Sequence, residues 1–98
     1  MSLLNTKAIN GKLKKMNEWK FKNNAISRSF DFSTYMSGIS YVQTLALLAE
    51  KENHHPNITI GWCKINIEFT SHDLGGVTEK CIYMAILATK LFEEQKSE

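Results

Sequence analysis

The chain contains three histidines, His54, His55 and His72, and all of them fall within a window of nineteen residues. An imidazole titrates at about pH 6.5, so it can give or take a proton near neutral pH. Two or three imidazoles gathered around one small molecule would supply both the acid and the base of a proton-transfer reaction. The spacing of the histidines therefore predicts an acid–base active site.

A zinc site is the main alternative, because three histidines can hold a catalytic metal ion. Neighbouring side chains in an extended stretch point in opposite directions, which hinders chelation of one ion by His54 and His55. The usual H-x-H, H-x3-H and HExxH spacings are also missing. Nucleophilic catalysis has little support, since neither Cys63 nor Cys81 has a histidine partner by spacing. We therefore expect no metal at this site.

The composition restricts the class of protein. The 98 residues, with 12 basic and 10 acidic side chains and a net charge of +2, suit one domain spanning residues 1–98. That charge is too small for a nucleic-acid or anionic-membrane surface, and the lysines between Lys12 and Lys22 are spaced as on a solvated face. The two cysteines make no disulfide framework, and no stretch is apolar enough for a signal peptide or a membrane span. We expect a cytoplasmic protein, also nuclear if the source is a eukaryote, that binds neither nucleic acid directly nor membrane.

A predicted hairpin separates the first two histidines from the third. Alternating apolar residues indicate strands at 57–62 and 65–70, joined by a two-residue turn at Cys63-Lys64. Extending this register beyond the strand ends farthest from the turn brings His55 opposite His72, although Pro56 interrupts the hydrogen-bonding ladder there. The predicted pairs are Trp62 with Ile65, Gly61 with Asn66, Ile60 with Ile67, Thr59 with Glu68, and Ile58 with Phe69.

A long helix precedes His54. Ser33 is a suitable N-cap, and apolar residues at helical spacing continue to about Asn53. Glu50 lies one helical turn before His54, where its carboxylate would hydrogen-bond an imidazole and fix the tautomer. Residues 45–49 are apolar on every side, which indicates either deep core or, as we favour for so small a domain, a subunit interface.

The other elements complete an α+β pattern. The first strand pair turns at Asn23-Asn24, which sets Phe21 opposite Ile26. The order α-β-β-α-β-β-α predicts a four-stranded antiparallel sheet with helices packed on one face. The remaining predicted elements are a helix at 3–16, strands at 19–22 and 25–32, and a helix from about Thr78 through Phe92.

Two segments around the histidines form a specific pattern: EKENHHP at residues 50–56 and TSHDLGGVTEK at residues 70–80, with Trp62 between them. This pattern resembles the pterin-4a-carbinolamine dehydratases, also called 4a-hydroxytetrahydrobiopterin dehydratases. Upstream, Trp19 followed by the alternating run 26–32 is similar to the first hairpin of that family. The resemblance covers residues 19–92, and the predicted order of elements is similar to the family's fold.

The resemblance implies an enzyme that dehydrates 4a-hydroxytetrahydrobiopterin to quinonoid dihydrobiopterin, as part of tetrahydrobiopterin recycling. It implies that His54 and His72 form the acid–base pair and that His55 mainly binds and orients the pterin, with no metal or cofactor. Glu50 would support the histidines from behind, and Trp19 would form a wall of the pocket. The substrate-binding residues implied are Glu50, Asn53, Pro56, Trp19, Ser71 and Asp73.

The sequence departs from the family at two positions. Cys81 stands where the family usually has aspartate, three residues after Thr78 in the first turn of the last helix. An acid there would face the free N–H groups of the helix, so its loss removes about 0.5–1 kcal/mol of stability and bears on substrate affinity. Cys63 stands in a turn where the family often has asparagine.

The resemblance also implies partners. Family members are dimers or tetramers with the long helix at an interface, which agrees with the apolar stretch at residues 45–49. Mammalian relatives use the same helix as dimerisation cofactors of a homeodomain transcription factor, so an adaptor that binds a protein through residues 33–53 is one alternative. Pterin handling in molybdopterin metabolism is another. The three intact histidines favour the enzyme over the adaptor.

Overall fold

The computed structural model describes residues 2–97, and its elements follow the predicted order α-β-β-α-β-β-α. The fold is therefore of the α+β class, as predicted, with every strand pair antiparallel. None of the helices within residues 2–97 is both long and apolar enough to cross a membrane. The elements are α1 (Thr6–Leu13), β1 (Lys20–Lys22), β2 (Ala25–Asp31), α2 (Tyr35–Glu52), β3 (Asn57–Gly61), β4 (Lys64–Phe69) and α3 (Glu79–Ser97).

The helix boundaries follow from local capping. The first helix is shorter than predicted because Asn5 caps it, its side chain accepting a hydrogen bond from the Ala8 N–H at 2.8 Å. The long helix is capped by Thr34 rather than by Ser33, and the Thr34 hydroxyl accepts from the Ser37 N–H at 3.0 Å. The last helix begins directly after Thr78, as predicted.

The four strands lie in the order β1-β2-β4-β3, so the two hairpins join through β2 and β4. The first hairpin has the predicted register, with Phe21 opposite Ile26. Asn23 and Asn24 have φ angles of 52° and 61°, the left-handed conformation that asparagine tolerates best after glycine.

The second hairpin has a different register from the one predicted. Ile60 pairs with Ile65 instead of Ile67, and the two-residue turn is Trp62-Cys63 instead of Cys63-Lys64. The turn requires a left-handed residue, Cys63 with φ 58°, and its carbonyl accepts from the Phe32 N–H at 2.9 Å. A shift of two residues keeps every side chain on its predicted face, so the alternating pattern could not distinguish the two registers.

The core lies between the sheet and the helices α2 and α3. Tyr41 of α2 is buried among aromatic rings, and its hydroxyl donates to the Ala88 carbonyl of α3 at 2.8 Å. Leu45 and Ala49 are buried in the same core, whereas Leu47 is 74% exposed. The apolar stretch at residues 45–49 therefore serves the protomer's own core on one side only.

Candidate active site

The three histidines lie around one cavity, where the end of α2 meets the end of β4. The cavity has a volume of about 220 Å³. The spacing argument predicted this proximity, although His55 and His72 are not cross-strand partners in the observed register. Within residues 2–97, no three His, Cys, Asp or Glu side chains are grouped so as to hold a metal ion. The lining residues are Asn53, His54, His55, Thr70, Ser71, His72 and Asp73.

The end of α2 directs the first two histidines towards the cavity. Asn53 caps the helix in the left-handed conformation, with φ 52° and ψ 43°. The N–H of His54 then donates to the Ala49 carbonyl at 3.1 Å, which closes the last turn. The chain turns sharply at Asn53, so His54 and His55 leave the helix instead of continuing its face.

This turn changes the partner of Glu50. The sequence predicted a hydrogen bond between the Glu50 carboxylate and His54, which follows it by one helical turn. Because the helix ends at Glu52, the Glu50 carboxylate instead pairs with Nε2 of His55. Both side chains are largely exposed, so the pair adds little stability, but it fixes the orientation of the His55 ring.

His54 is half-buried and is held by two core side chains. Its ring stacks on Phe69 with centroids 6.1 Å apart and planes inclined by 21°. Its Nε2 lies 3.3 Å from Sγ of Cys81, a fully buried residue in the first turn of α3. The thiol in turn lies 3.5 Å from the hydroxyl of Thr78. The expectation that neither cysteine has a histidine partner is therefore wrong for Cys81.

The surroundings of His54 favour its uncharged form. Burial lowers the pKa of His54 below its usual value, and the nearby charges of Lys80, His72 and His55 act in the same direction. Lys80 is held in place by an ion pair with Glu52 at 2.9 Å. An imidazole that is uncharged at neutral pH can accept a proton from a bound molecule.

A tight loop positions the third histidine. Ser71 and Gly76 form an isolated antiparallel bridge, in which the Ser71 N–H donates to the Gly76 carbonyl at 2.7 Å. The Ser71 hydroxyl also accepts from the Leu74 N–H at 3.2 Å, and Gly75 adopts φ 73° to complete the turn. His72 and Asp73 are exposed at the cavity side of this loop. Ser71 is buried and stabilises the loop that carries them.

Three residues of the predicted substrate-binding set, Glu50, Trp19 and Pro56, do not line the cavity. Trp19 is only 5% exposed and stacks on Phe69, with centroids 6.0 Å apart, and His54 stacks on the same Phe69 ring. Its indole N–H donates to the Thr89 hydroxyl at 2.9 Å. Pro56 lies between His55 and the first residue of β3 and is not part of the cavity lining.

Two residues at the site were not in the predicted set. Thr70 lines the cavity, and its hydroxyl donates to the Asn24 carbonyl at 2.8 Å, which ties the first hairpin to this end of the sheet. Cys81 contacts His54 from below. The sequence did carry a signal for Cys81, since it replaces an aspartate at that position of the similar family. Its distance of 27 residues from His54 hid the contact.

Comparison with known proteins agrees with the fold and with the family resemblance. Residues 2–91 match the family model described as pterin 4 alpha carbinolamine dehydratase. A protein of Natronomonas pharaonis with the provisional name pterin-4-alpha-carbinolamine dehydratase is 39% identical over 67 residues, 68% of this chain and 73% of that protein. A Mycobacterium tuberculosis protein with the same provisional name is 36% identical over 85 residues, 87% of this chain and 90% of that protein.

Two solved structures are similar as well. A Brucella melitensis protein described as a transcriptional coactivator/pterin dehydratase superposes with a TM-score of 0.87 at 28% identity, covering 92% of this chain and 98% of that one. A pterin dehydratase-like protein described as a RuBisCO assembly factor of the alpha-carboxysome superposes with a TM-score of 0.64 at 24% identity, covering 76% and 86%. The second likeness concerns the fold alone.

Proposed function

Because the chain belongs to the pterin 4 alpha carbinolamine dehydratase family, we propose that it is a hydro-lyase that dehydrates 4a-hydroxytetrahydrobiopterin. The product is quinonoid dihydrobiopterin, and the reaction serves the recycling of tetrahydrobiopterin. The observation that carries the proposal is the convergence of three histidines on one cavity, and burial lowers the pKa of one of them, His54.

The reaction needs one acid and one base. The C4a–O bond breaks as the hydroxyl leaves with an added proton as water. The N5 proton goes to a base, and the electron pair of the broken N5–H bond forms the N5=C4a double bond of the quinonoid product. No electron is gained or lost overall, so one proton donor near the C4a hydroxyl and one proton acceptor near N5 supply what the chemistry requires.

The three histidines take different roles in this scheme. His54 accepts the N5 proton, because its lowered pKa keeps it uncharged at neutral pH. His72, on the opposite loop, protonates the departing hydroxyl. His55, oriented by the Glu50 carboxylate, binds the pterin and aligns its ring.

The other predicted residues divide into direct and indirect contacts. Asn53 and Asp73 line the cavity and offer hydrogen-bonding groups to the polar edge of the pterin. Ser71 acts through the loop that it stabilises, and Trp19 acts through the Phe69 ring against which His54 lies. We therefore assign Trp19 a supporting position in place of the pocket wall that the resemblance implied.

The exposed side of α2 supports a proposal about assembly. Met36 is 66% exposed and Leu47 is 74% exposed, so large apolar side chains on this helix face outward from the protomer. Removal of this surface from water would stabilise a dimer or tetramer. We propose a homo-oligomer with α2 at one of its interfaces.

The same surface favours one second candidate function, that of an adaptor for another protein. The similar Brucella protein is described as a coactivator as well as a dehydratase, and an apolar helix face is suited to bind a partner protein. An adaptor makes no use of the histidine cavity. Histidine variants therefore separate the two functions.

The test is the dehydration of freshly generated 4a-hydroxytetrahydropterin, followed by absorbance in a chelating buffer with catalytic amounts of protein. We expect a clear acceleration, and we expect His54→Ala and His72→Ala each to lower turnover by about 100-fold or more. Lys51→Ala, an exposed change on α2 beside the site, is the matched control and should keep the full rate. A folded protein that gives no acceleration, or near-full rates in both histidine variants, would contradict the proposal.

A further inference from the structure

One ring nitrogen of His54 is occupied beneath the cavity floor. Nε2 lies 3.3 Å from Sγ of Cys81, which is fully buried, and the ring face is covered by Phe69. The two nitrogens of an imidazole lie on different edges of the ring. With Nε2 directed at the buried thiol, Nδ1 is the nitrogen left to serve a molecule in the cavity.

We propose that Cys81 is a positioning residue for His54: its thiol holds Nε2 through an uncharged hydrogen bond, so that Nδ1 accepts the proton. The catalytic meaning of this contact rests on the dehydratase function proposed above. The contact itself, and the tautomer that it selects, are properties of the folded chain and are measurable without substrate.

Thr78 completes the arrangement. A thiol is a weak donor and a weak acceptor at once, so it can accept from Nε2–H while its own S–H donates onward. The Thr78 hydroxyl, buried and 3.5 Å from Sγ, is available to accept that second hydrogen bond. The chain of bonds then runs from Nε2–H to sulfur to oxygen, and Nδ1 keeps its lone pair.

The absence of charge on the thiol is what distinguishes it from a carboxylate at the same position. A carboxylate would accept from Nε2–H equally well, but its negative charge would stabilise the imidazolium form. An opposite charge within about 4–6 Å shifts a pKa by about 1–3 units towards the charged form. Such a shift would raise the pH above which Nδ1 is free to accept a proton.

The charged groups around His54 are consistent with an uncharged ring. From α3, Lys80 faces it beside Cys81, and from the loop after β4 come His72 and Asp73. His55 is adjacent in the chain and is paired with Glu50, while Lys80 is paired with Glu52. None of the ion pairs found within residues 2–97 includes His54.

The direct test is an NMR titration of the full-length protein with isotopically labelled histidine, in which His54→Gln identifies the His54 signals. The nitrogen shifts report the tautomer, and the titration gives the pKa. In the unmodified protein we expect Nε2 to carry the proton and Nδ1 to be bare at pH 7. Cys81→Ser, which keeps a donor and acceptor, should retain this tautomer.

Two further variants separate hydrogen bonding from charge. Cys81→Ala removes the partner of Nε2, so we expect a mixture of tautomers. Cys81→Asp should raise the pKa of His54 by about one unit or more. Cys63→Ser changes the other free cysteine, at the turn after β3, and should leave both readouts unchanged. If the alanine and aspartate variants both reproduce the tautomer and pKa of the unmodified protein, Cys81 has only a packing role and the proposal is wrong.

Dehydratase rates connect the tautomer to catalysis. In Cys81→Asp, the acid limb of the pH–rate profile should move to higher pH by as much as the pKa of His54 moves, about tenfold in rate per unit at low pH. Cys81→Ser should keep the profile of the unmodified protein. A tautomer that depends on Cys81 in a protein without dehydratase activity would support the positioning role and refute the proposed function. If the enzyme is active but the His54 NMR signals are the same in all Cys81 variants, the positioning role alone is refuted.

Discussion

The left-handed turn at Asn53 leads to a prediction in which the effects on folding stability and on enzyme activity can be measured separately. Asn53 has φ 52° and ends α2 directly before the two adjacent histidines. An alanine in this conformation places its Cβ too close to the following carbonyl, at a cost of roughly 1–2 kcal/mol. Asparagine bears part of that cost and tolerates the conformation better, so we expect Asn53→Ala to lower the free energy of unfolding by about 1 kcal/mol.

Glycine provides the matched comparison. Asn53→Gly removes the steric cost but gives the unfolded chain more freedom, worth roughly 0.5–1 kcal/mol in the opposite direction. The two effects offset each other, so we expect the glycine variant to lie within about 0.5 kcal/mol of the unmodified protein. Asn10→Ala, in the middle of α1, changes the same residue type in a right-handed helix and should not be destabilising.

The assay is urea denaturation followed by tryptophan fluorescence, at one protomer concentration for all variants; unfolding exposes Trp19, whereas Trp62 is already 82% exposed in the folded protein. For a domain of this size, the alanine variant should also melt roughly 4–8 °C lower. An Asn53→Ala protein as stable as both Asn53→Gly and the unmodified chain would refute the reasoning. In the dehydratase assay, an equal rise of KM in both variants would indicate that the Asn53 amide contacts the substrate. A loss of activity in Asn53→Ala alone would indicate that the residue acts through the turn.

Two further predictions follow from the charge and the surface of the protein. Because the folded state lowers the pKa of His54, the unfolded chain binds more protons, so the free energy of unfolding should fall as pH drops through about 6.5 and below. His54→Asn should remove that part of the pH dependence in urea titrations at pH 7.5 and 5.5, and an unchanged difference between the two pH values would exclude His54 as its source. Leu47→Glu should place a charge in the proposed α2 interface and convert an oligomer to a smaller species in sedimentation at micromolar concentration, whereas Thr59→Ala on the polar side of β3 should not. A monomeric unmodified protein would rule out the interface.

Local patterns in the sequence were sufficient for the element order and for the faces of the strands. Ile65, Ile67 and Phe69 alternate with polar residues, and all three are buried as the alternation predicts. The first hairpin also had its register fixed locally, because the turn at Asn23-Asn24 admits left-handed residues at both positions. The proximity of the histidines could be predicted from the same local patterns, since the two segments that carry them flank one hairpin.

The alternation of apolar and polar residues could not predict the register of the second hairpin. Two registers that differ by two residues bury the same side chains, so the choice depends on the turn and on the neighbouring strand. Cys63 accepts a left-handed conformation, and its carbonyl binds the Phe32 N–H after β2. That contact joins residues from different hairpins, which no pattern within one hairpin records.

The sequence by itself therefore determined the fold class and the presence of three histidines at one end of the sheet, because hydrophobic periodicity and histidine spacing are properties of short segments. The tertiary structure decided the partners of those groups. Because α2 ends at Glu52, the Glu50 carboxylate pairs with His55, and the packing of α3 places Cys81 in contact with His54. These contacts depend on where a helix stops and how it packs against a sheet, and both are set by the balance of many weak interactions across the whole core.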